Sequence, residues 1–291
     1  MALATTVLVD GFVFTEGPRW RDGRLWFSDI HGHAVVAATP AGEPEVIVKV
    51  DADDPSGLGW LPDGRLLIVG MERQQILRLE PGGELVCHAD LSSQARGSLN
   101  DMIVANDGVA YVGDMGTKLW EDGPRRPGQT FCVRPDGSFT VAADDLRSPN
   151  GHVLTDDETV LIVAESGGHC LTAFDRSPSG ELSNQRIYAE LLPASPDVPV
   201  SAPDGICLDS DAAVWVADPV GCRVLRVLPG GEVTDIIGYS RDVPVACALG
   251  GADRRTLYVC VAHAWQRERL AGTRTGRIDQ IAVTVSGAGK P

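Results

Sequence analysis

The sequence predicts an all-β fold, a six-bladed β-propeller with four-stranded antiparallel blades. Three observations carry the prediction: one segment grammar recurs six times, the apolar runs between turns are short, and no stretch keeps a capped helical period. Each segment opens on a small or polar residue and continues into a short apolar strand. It turns at Asp-Gly or Asp-Asp and returns through a second apolar strand ending near Asp or Glu. A third strand follows with a Pro-x-Gly or Pro-Gly-Gly turn, the punctuation of hairpins.

The segments start near Glu16 (EGPRWRDGRLWFSDI), Ser56 (SGLGWLPDGRLLIVGM), Asn100 (NDMIVANDGVAYVGDM), Asn150 (NGHVLTDDETVLIVAES), Asp204 (DGICLDSDAAVWVADP) and Ala246 (ACALGGADRRTLYVCVA). The starts lie 40 to 54 residues apart, the length of one four-stranded blade. Runs such as LWFS, LLIV, LIVA and VWVA are nearly continuous in apolar residues, as expected for strands buried on both faces between neighbouring blades. Trp20, Trp26, Trp60 and Trp215 recur within the segments and are expected in that inter-blade core. A ring of blades must close, and the N-terminal Thr-Val-Leu-Val-Asp is placed to add a strand to the last blade near Ile278–Val285, hiding a sheet edge. The whole chain, 1–291, reads as one such domain. Two packed sandwiches are the competing arrangement, but they do not demand the regular return of one opening.

Of the 291 residues 43% are hydrophobic, enough for a large core, and 33 Gly and 19 Pro are spread evenly, as many tight turns require. A net charge of −15 argues against nucleic acid and anionic membranes as partners. The seven cysteines, Cys87, Cys132, Cys170, Cys207, Cys222, Cys247 and Cys260, contain no Cys-x-x-Cys pair, and several sit in apolar runs. They read as free thiols in a reducing, cytoplasmic setting. The N-terminus lacks the features of a signal peptide, and no apolar run approaches membrane-spanning length. The C-terminal Ser-Gly-Ala-Gly-Lys-Pro is expected to fray.

In a propeller the innermost strands line the axial channel, so the opening residues of different blades meet at one end of the axis. Here Glu16, Asn100, Asn150 and Asp204 carry carboxylate or amide oxygens. A hard, all-oxygen set with two negative charges suits one divalent cation, Ca2+ foremost, with Mg2+, Mn2+ or Zn2+ open. Without an ion, two carboxylates facing each other in a confined channel leave one tending to stay protonated. Gly17, Gly151 and Gly205 directly follow three of these residues and leave room for close backbone approach. Taken one at a time, each polar-Gly pair also reads as a plain hairpin turn.

The motifs Glu16-Gly-Pro-x-Trp, Asn100-Asp101, Pro149-Asn150-Gly151 and Pro203-Asp204-Gly205 resemble those of the senescence marker protein (regucalcin), gluconolactonase and luciferin-regenerating-enzyme-like family. They fall in the family's order, and the resemblance covers about residues 10–285. It implies that Glu16, Asn150 and Asp204 bind the metal, that Asn100 contacts substrate or metal-bound water, and that the reaction is hydrolysis of sugar lactones. There is one departure: sugar-lactone members resemble Arg-x-Asn-Asp at the third opening, and here Ser98 stands in place of that Arg. Arg96 is nearby but out of register.

A metal-dependent lactonase acting on a small-molecule substrate is therefore the expected function. Opening a cyclic ester requires a polarised carbonyl, an activated water and a stabilised oxyanion, and one divalent ion in an open coordination sphere serves these ends. Asp204 is assigned as general base, Glu16 as a pure ligand, and Asn100, Ser98 and His152 as the substrate-binding set. His152 enters because strand alternation puts it on the same side as Asn150; a packed histidine is the plain alternative. No Gly-x-Ser-x-Gly motif supports a serine nucleophile, and Ser56 reads as a passive channel wall. His31 and His33 read as a surface turn, and His263 and Trp265 as strand-end packing or a border of the mouth. Two insertions, Lys118–Gln129 and Pro193–Ala202, are candidates for a lid or a partner contact. Two other functions stay open on this scaffold: another metal-assisted reaction of enolate or esterase type, and a non-enzymatic calcium- or ligand-binding propeller.

Overall fold

A computed structural model describes residues 4–121 and 123–290. The strand β1 (Thr5–Phe12) comes first in the chain and lies outermost in the last blade. The first blade is β2 (Thr15–Arg21), β3 (Arg24–Asp29), β4 (Ala34–Ala38) and β5 (Pro44–Lys49). The second is β6 (Pro55–Trp60), β7 (Leu66–Gly70), β8 (Gln75–Leu79) and β9 (Leu85–Asp90). The third is β10 (Leu99–Val104), β11 (Ala110–Asp114), β12 (Gly128–Val133) and β13 (Phe139–Leu146). The fourth is β14 (Pro149–Leu154), β15 (Val160–Glu165), β16 (Cys170–Arg176) and β17 (Leu182–Glu190). The fifth is β18 (Ile206–Leu208), β19 (Val214–Asp218), β20 (Arg223–Val227) and β21 (Val233–Gly238). The sixth takes β22 (Val243–Gly250), β23 (Thr256–Ala262) and β24 (Gly276–Ala282), then β1. Between β23 and β24 lies a single helical turn, α1 (Arg267–Leu270), the one helix among the described residues. None is long and apolar enough to cross a membrane.

The strands β2, β6, β10, β14, β18 and β22 touch their neighbours in that order, and β22 touches β2, so the ring closes. Closure uses both ends of the chain: β1 pairs antiparallel with β24, with Thr5 opposite Ile281 and Val9 opposite Ile278. Turn chemistry follows the sequence. Asp22 and Gly23 both take positive φ, 51° and 73°, as a two-residue hairpin between Arg21 and Arg24 requires. Elsewhere a glycine at positive φ donates its N–H to the carbonyl three residues back, as Gly64 does to Leu61 and Gly108 to Ala105.

Second strands such as β7 and β11 are buried at every residue, whereas the outermost β5 and β17 are largely exposed. Each fully buried Val, Ile or Leu contributes roughly 1.5–3 kcal/mol, so the blades are held chiefly by their inner halves. Trp26 meets Trp60 edge-on across the first blade boundary, and Trp20 stacks on Tyr258 across the closing one.

The acid that ends the second strand grips the chain entering the same blade. Asp29 accepts the N–H groups of Val13 and Phe14, Asp114 that of Arg96, Glu165 that of Arg147 and Asp218 that of Ala202. In the second blade Gly70 holds this position, and Asp53 fills the space, accepting the N–H groups of Glu72 and Arg73.

A one-residue bulge recurs on the inner strands, between Glu16 and Arg19, Pro55 and Leu58, Leu99 and Met102, Pro149 and His152, and Pro244 and Ala246. Just past the opening the inner strands nearly touch: Gly151 N–H donates to Asp204 O at 3.2 Å and Gly205 N–H to Val245 O at 2.8 Å. A Cβ on Gly57, Gly151 or Gly205 would strike the neighbouring inner strand, which is why glycine stands there. By the same contacts Val245, not Ala246, occupies the opening position of the sixth blade. The C-terminus also departs from expectation: it is pinned, with Ala288 N–H donating to Leu208 O and Lys290 exchanging backbone hydrogen bonds with Leu154. It crosses two blades because these carbonyls and N–H groups, at the strand ends, would otherwise lack partners.

Candidate functional site

Glu16, Asn100, Asn150 and Asp204 line one cavity of about 390 Å3 at one end of the channel. The bulges on β2, β10 and β14 mark where these strands open toward it, and Asp204 sits just ahead of β18. An arc of hydrogen bonds joins three blades: Ser56 Oγ donates to Asn100 Oδ1 at 3.0 Å, and Asn100 Nδ2 to Asn150 Oδ1 at 2.9 Å. Asn150 Nδ2 then donates to Ser166 Oγ at 3.3 Å, and Ser166 to Pro203 O at 2.6 Å. Ser56 is thus a working member of the arc. Ser166 was missed by the sequence reading; its one signal is that it directly follows the acid ending the second strand.

The electrostatics of the ring are unbalanced. Burial pushes the Asp204 carboxyl up to about 8, against the lowering effect of its hydrogen bond with Asn150, and Asp101 and Asp218 push the same way as burial. Burial and then repulsion from Asp204 raise Glu16 well above the carboxylate range, opposed by the Gly17 N–H, which donates to Glu16 Oε2 at 2.8 Å. Two buried carboxylates and an amide oxygen form a donor set that a divalent cation fits, since the cation would relieve the repulsion that now favours protonation. Among the described residues, no three His, Cys, Asp or Glu side chains gather to hold a metal, so a metal centre here needs the Asn150 amide.

The buried Arg19, three residues after Glu16 on β2, bridges the inner strands. Its Nη2 donates to Asp101 Oδ1 and to Met102 O, both at 2.6 Å, and its Nε to Leu58 O at 3.0 Å, tying the first three blades together. Asp101 stands where four of the other five openings are followed by glycine, an irregularity for which the sequence analysis named no structural role.

Two members of the expected substrate-binding set lie outside the cavity. Ser98 is fully buried, donating to Glu72 Oε1 at 2.5 Å and accepting the Leu119 N–H at 3.1 Å. His152 is buried between blades beside Thr130 Oγ1, at 3.1 Å, because the bulge after Pro149 breaks the alternation that would have aligned it with Asn150. Burial brings its pKa down to about 4, so the imidazole is neutral.

The mouth is built by the insertions. Leu119, Trp120 and Arg125 from one, and Val200 and Ala202 from the other, line the cavity with Trp265. Gly128 and Gln129, read as part of the first insertion, belong instead to β12. His31 lies in a turn, but its side chain packs inward behind the lining residues Phe14 and Trp120 instead of facing solvent. Its ring lies edge-on to Trp120 at 4.9 Å and stacks on Phe14 at 5.9 Å, beside the buried Asp54. Asp54 also pairs with Arg267 at 3.2 Å, and Arg267 lies over the Trp120 ring.

The class defined by this architecture is a six-bladed propeller with a carboxylate–amide ring at one end of its channel. Within that class, the chain belongs to the SMP-30/Gluconolactonase/LRE-like family, whose region matches residues 14–263. It is 26% identical to regucalcin of Xenopus laevis over 88% of this chain and 85% of that one. It is 30% identical to 6-deoxy-6-sulfogluconolactonase of Pseudomonas putida, over 48% of this chain and about half (47%) of that protein's length. In structure it is similar to a calcium-binding regucalcin from Agrobacterium tumefaciens, with a TM-score of 0.81, 20% identity, and coverage of 100% of this chain and 97% of that one.

Proposed function

We propose that the protein hydrolyses small cyclic esters with the help of one divalent cation, Ca2+ foremost, held by Glu16, Asn150 and Asp204. The observation that carries this reading is the pair of buried carboxylates that face one cavity and disfavour each other's ionisation. Membership of a family that includes gluconolactonases, and the similarity to 6-deoxy-6-sulfogluconolactonase, support the ester chemistry.

When bound, the cation supplies Lewis acidity to the ester carbonyl and lowers the pKa of water. Asp204 accepts the proton of the attacking water and passes it to the departing ring oxygen. Glu16 contributes charge and is fixed by the Gly17 N–H. Asn100 lines the cavity with its amide held between Ser56 and Asn150, which leaves the second lone pair of its Oδ1 as the group it can offer a substrate. The arc of hydrogen bonds keeps these groups in place before substrate arrives, which spares reorganisation in the transition state. All seven cysteines are free, with the Cys207 and Cys247 sulfurs 3.7 Å apart and unjoined, which supports a cytoplasmic location.

The test is a lactone assay before and after exhaustive chelation. We expect turnover to vanish on chelation and return with added Ca2+, Mg2+, Mn2+ or Zn2+. Turnover that survives complete metal removal would refute the metal role.

A further inference from the structure

We infer that the substrate is a lactone bearing an apolar alkyl or aryl substituent rather than a polyhydroxylated chain; this rests on the lactonase reading above. The fold repeats a second layer of side chains next to the polar ring. The residue that follows each second strand lines the cavity in five blades: Ile30, Met71, Met115, Ser166 and Pro219. Its contact with the ring is direct, since Asn150 donates to Ser166 and the Asn100 amide nitrogen lies 3.7 Å from the Met115 sulfur. Four of these five positions are apolar, and Phe14 adds an aromatic face.

The polar exception lies on the fourth blade, where Ser148, Ser166 and His169 gather beside Asn150. The cavity is therefore two-sided. The ester sits against the ring and the fourth blade, and the substituent points away from the fourth blade, toward the apolar lining of the others. A hydroxylated chain placed there would exchange its water contacts for Ile30, Met71 and Met115, which return no hydrogen bonds. Ser98 offers nothing in compensation, because its hydroxyl is taken up by Glu72 and the Leu119 N–H. Apart from the ring, the polar side chains on this side are Thr117 and Arg125, which lie beside or in the insertion at the mouth and not in the layer next to the ring. The apolar character continues outward: Trp265 is 50% exposed, Val220 39% and Val200 37%, and all three stand at the cavity. Such a cluster at a concave mouth marks a surface that apolar ligands cover.

The experiment compares kcat/KM of the cation-loaded protein for glucono-δ-lactone, δ-decalactone and dihydrocoumarin. We expect the two apolar lactones to exceed the sugar lactone by at least about tenfold. Met71→Gln and Trp265→Ser should each lower the ratio of kcat/KM for δ-decalactone to that for glucono-δ-lactone by about tenfold. Equal or faster turnover of glucono-δ-lactone overturns the inference and leaves the lactonase reading intact. If none of the three is hydrolysed, the lactonase reading fails, and binding of the same compounds followed by tryptophan fluorescence decides the inference. Saturable binding of δ-decalactone with no response to glucono-δ-lactone sustains it; the reverse preference, equal binding, or no binding of either overturns it.

Discussion

Asp204 has one environment and two consequences. Its folded-state pKa, near 8, lies above the ordinary carboxylate value of 3.8, so the cation-free fold holds a proton that the unfolded chain releases. Stability of the cation-free protein therefore falls as pH rises from about 4 toward 8. Asp204→Asn removes that liability and also the proton acceptor. We expect kcat to drop by about 10²–10⁴-fold, while the cation-free variant melts higher than the cation-free parent at pH 8. Differential scanning calorimetry beside the lactone assay reads both. His152 has the opposite sign: burial depresses its pKa to about 4 against 6.5, so the unfolded chain takes up a proton the fold refuses. Its neutral form is compatible with full stability above pH 6.5, and up to about 3 kcal/mol is lost as pH falls toward 4. Chemical denaturation of His152→Gln at pH 7 and pH 4.5 should show a smaller acid loss than the parent. The four ring residues were legible because each opens its repeat at the same phase. His152 was not, since a bulge hidden from the sequence resets which side chains face the axis, and Ser98 was not, since its bonds to Glu72 and Leu119 join residues distant in the chain.

At the scale of the elements, the acids that end the second strands were visible as a pattern, but their purpose was not. The N–H groups they accept belong to chain segments entering the blade, 15 to 18 residues earlier for Asp29, Asp114 and Glu165. Asp114 serves three donors: the N–H groups of Arg96 and Gly116 and the Gln129 side-chain amide. Asp114→Ala should strand them and cost about 2–4 kcal/mol in urea unfolding, without a selective effect on lactone turnover in the folded fraction. The loops that form the mouth illustrate the other gap. Their length marked them as unusual, yet the contacts of Trp120 with His31 and Arg267 join residues far apart in the chain, and no local pattern announces such contacts.

For the whole molecule, the sixfold repeat carried nearly all of the architecture, including the borrowed strand β1 that completes the sixth blade. Repetition is a strong signal because every blade must solve the same problem, burying both faces of its inner strands against its neighbours. The channel inherits that regularity, and the chemistry lies where the ring departs from it: glutamate, asparagines and aspartate, with serine and valine completing the six openings. The claim on which the account turns is that Glu16, Asn150 and Asp204 share one cation. Anomalous diffraction from crystals grown with Mn2+ or Ca2+ tests it most directly. The account predicts a single strong peak in the channel, about 2.1–2.6 Å from an oxygen of each of the three side chains. A peak bound elsewhere, or none at saturating cation with the three side chains bonded only to protein, would contradict it.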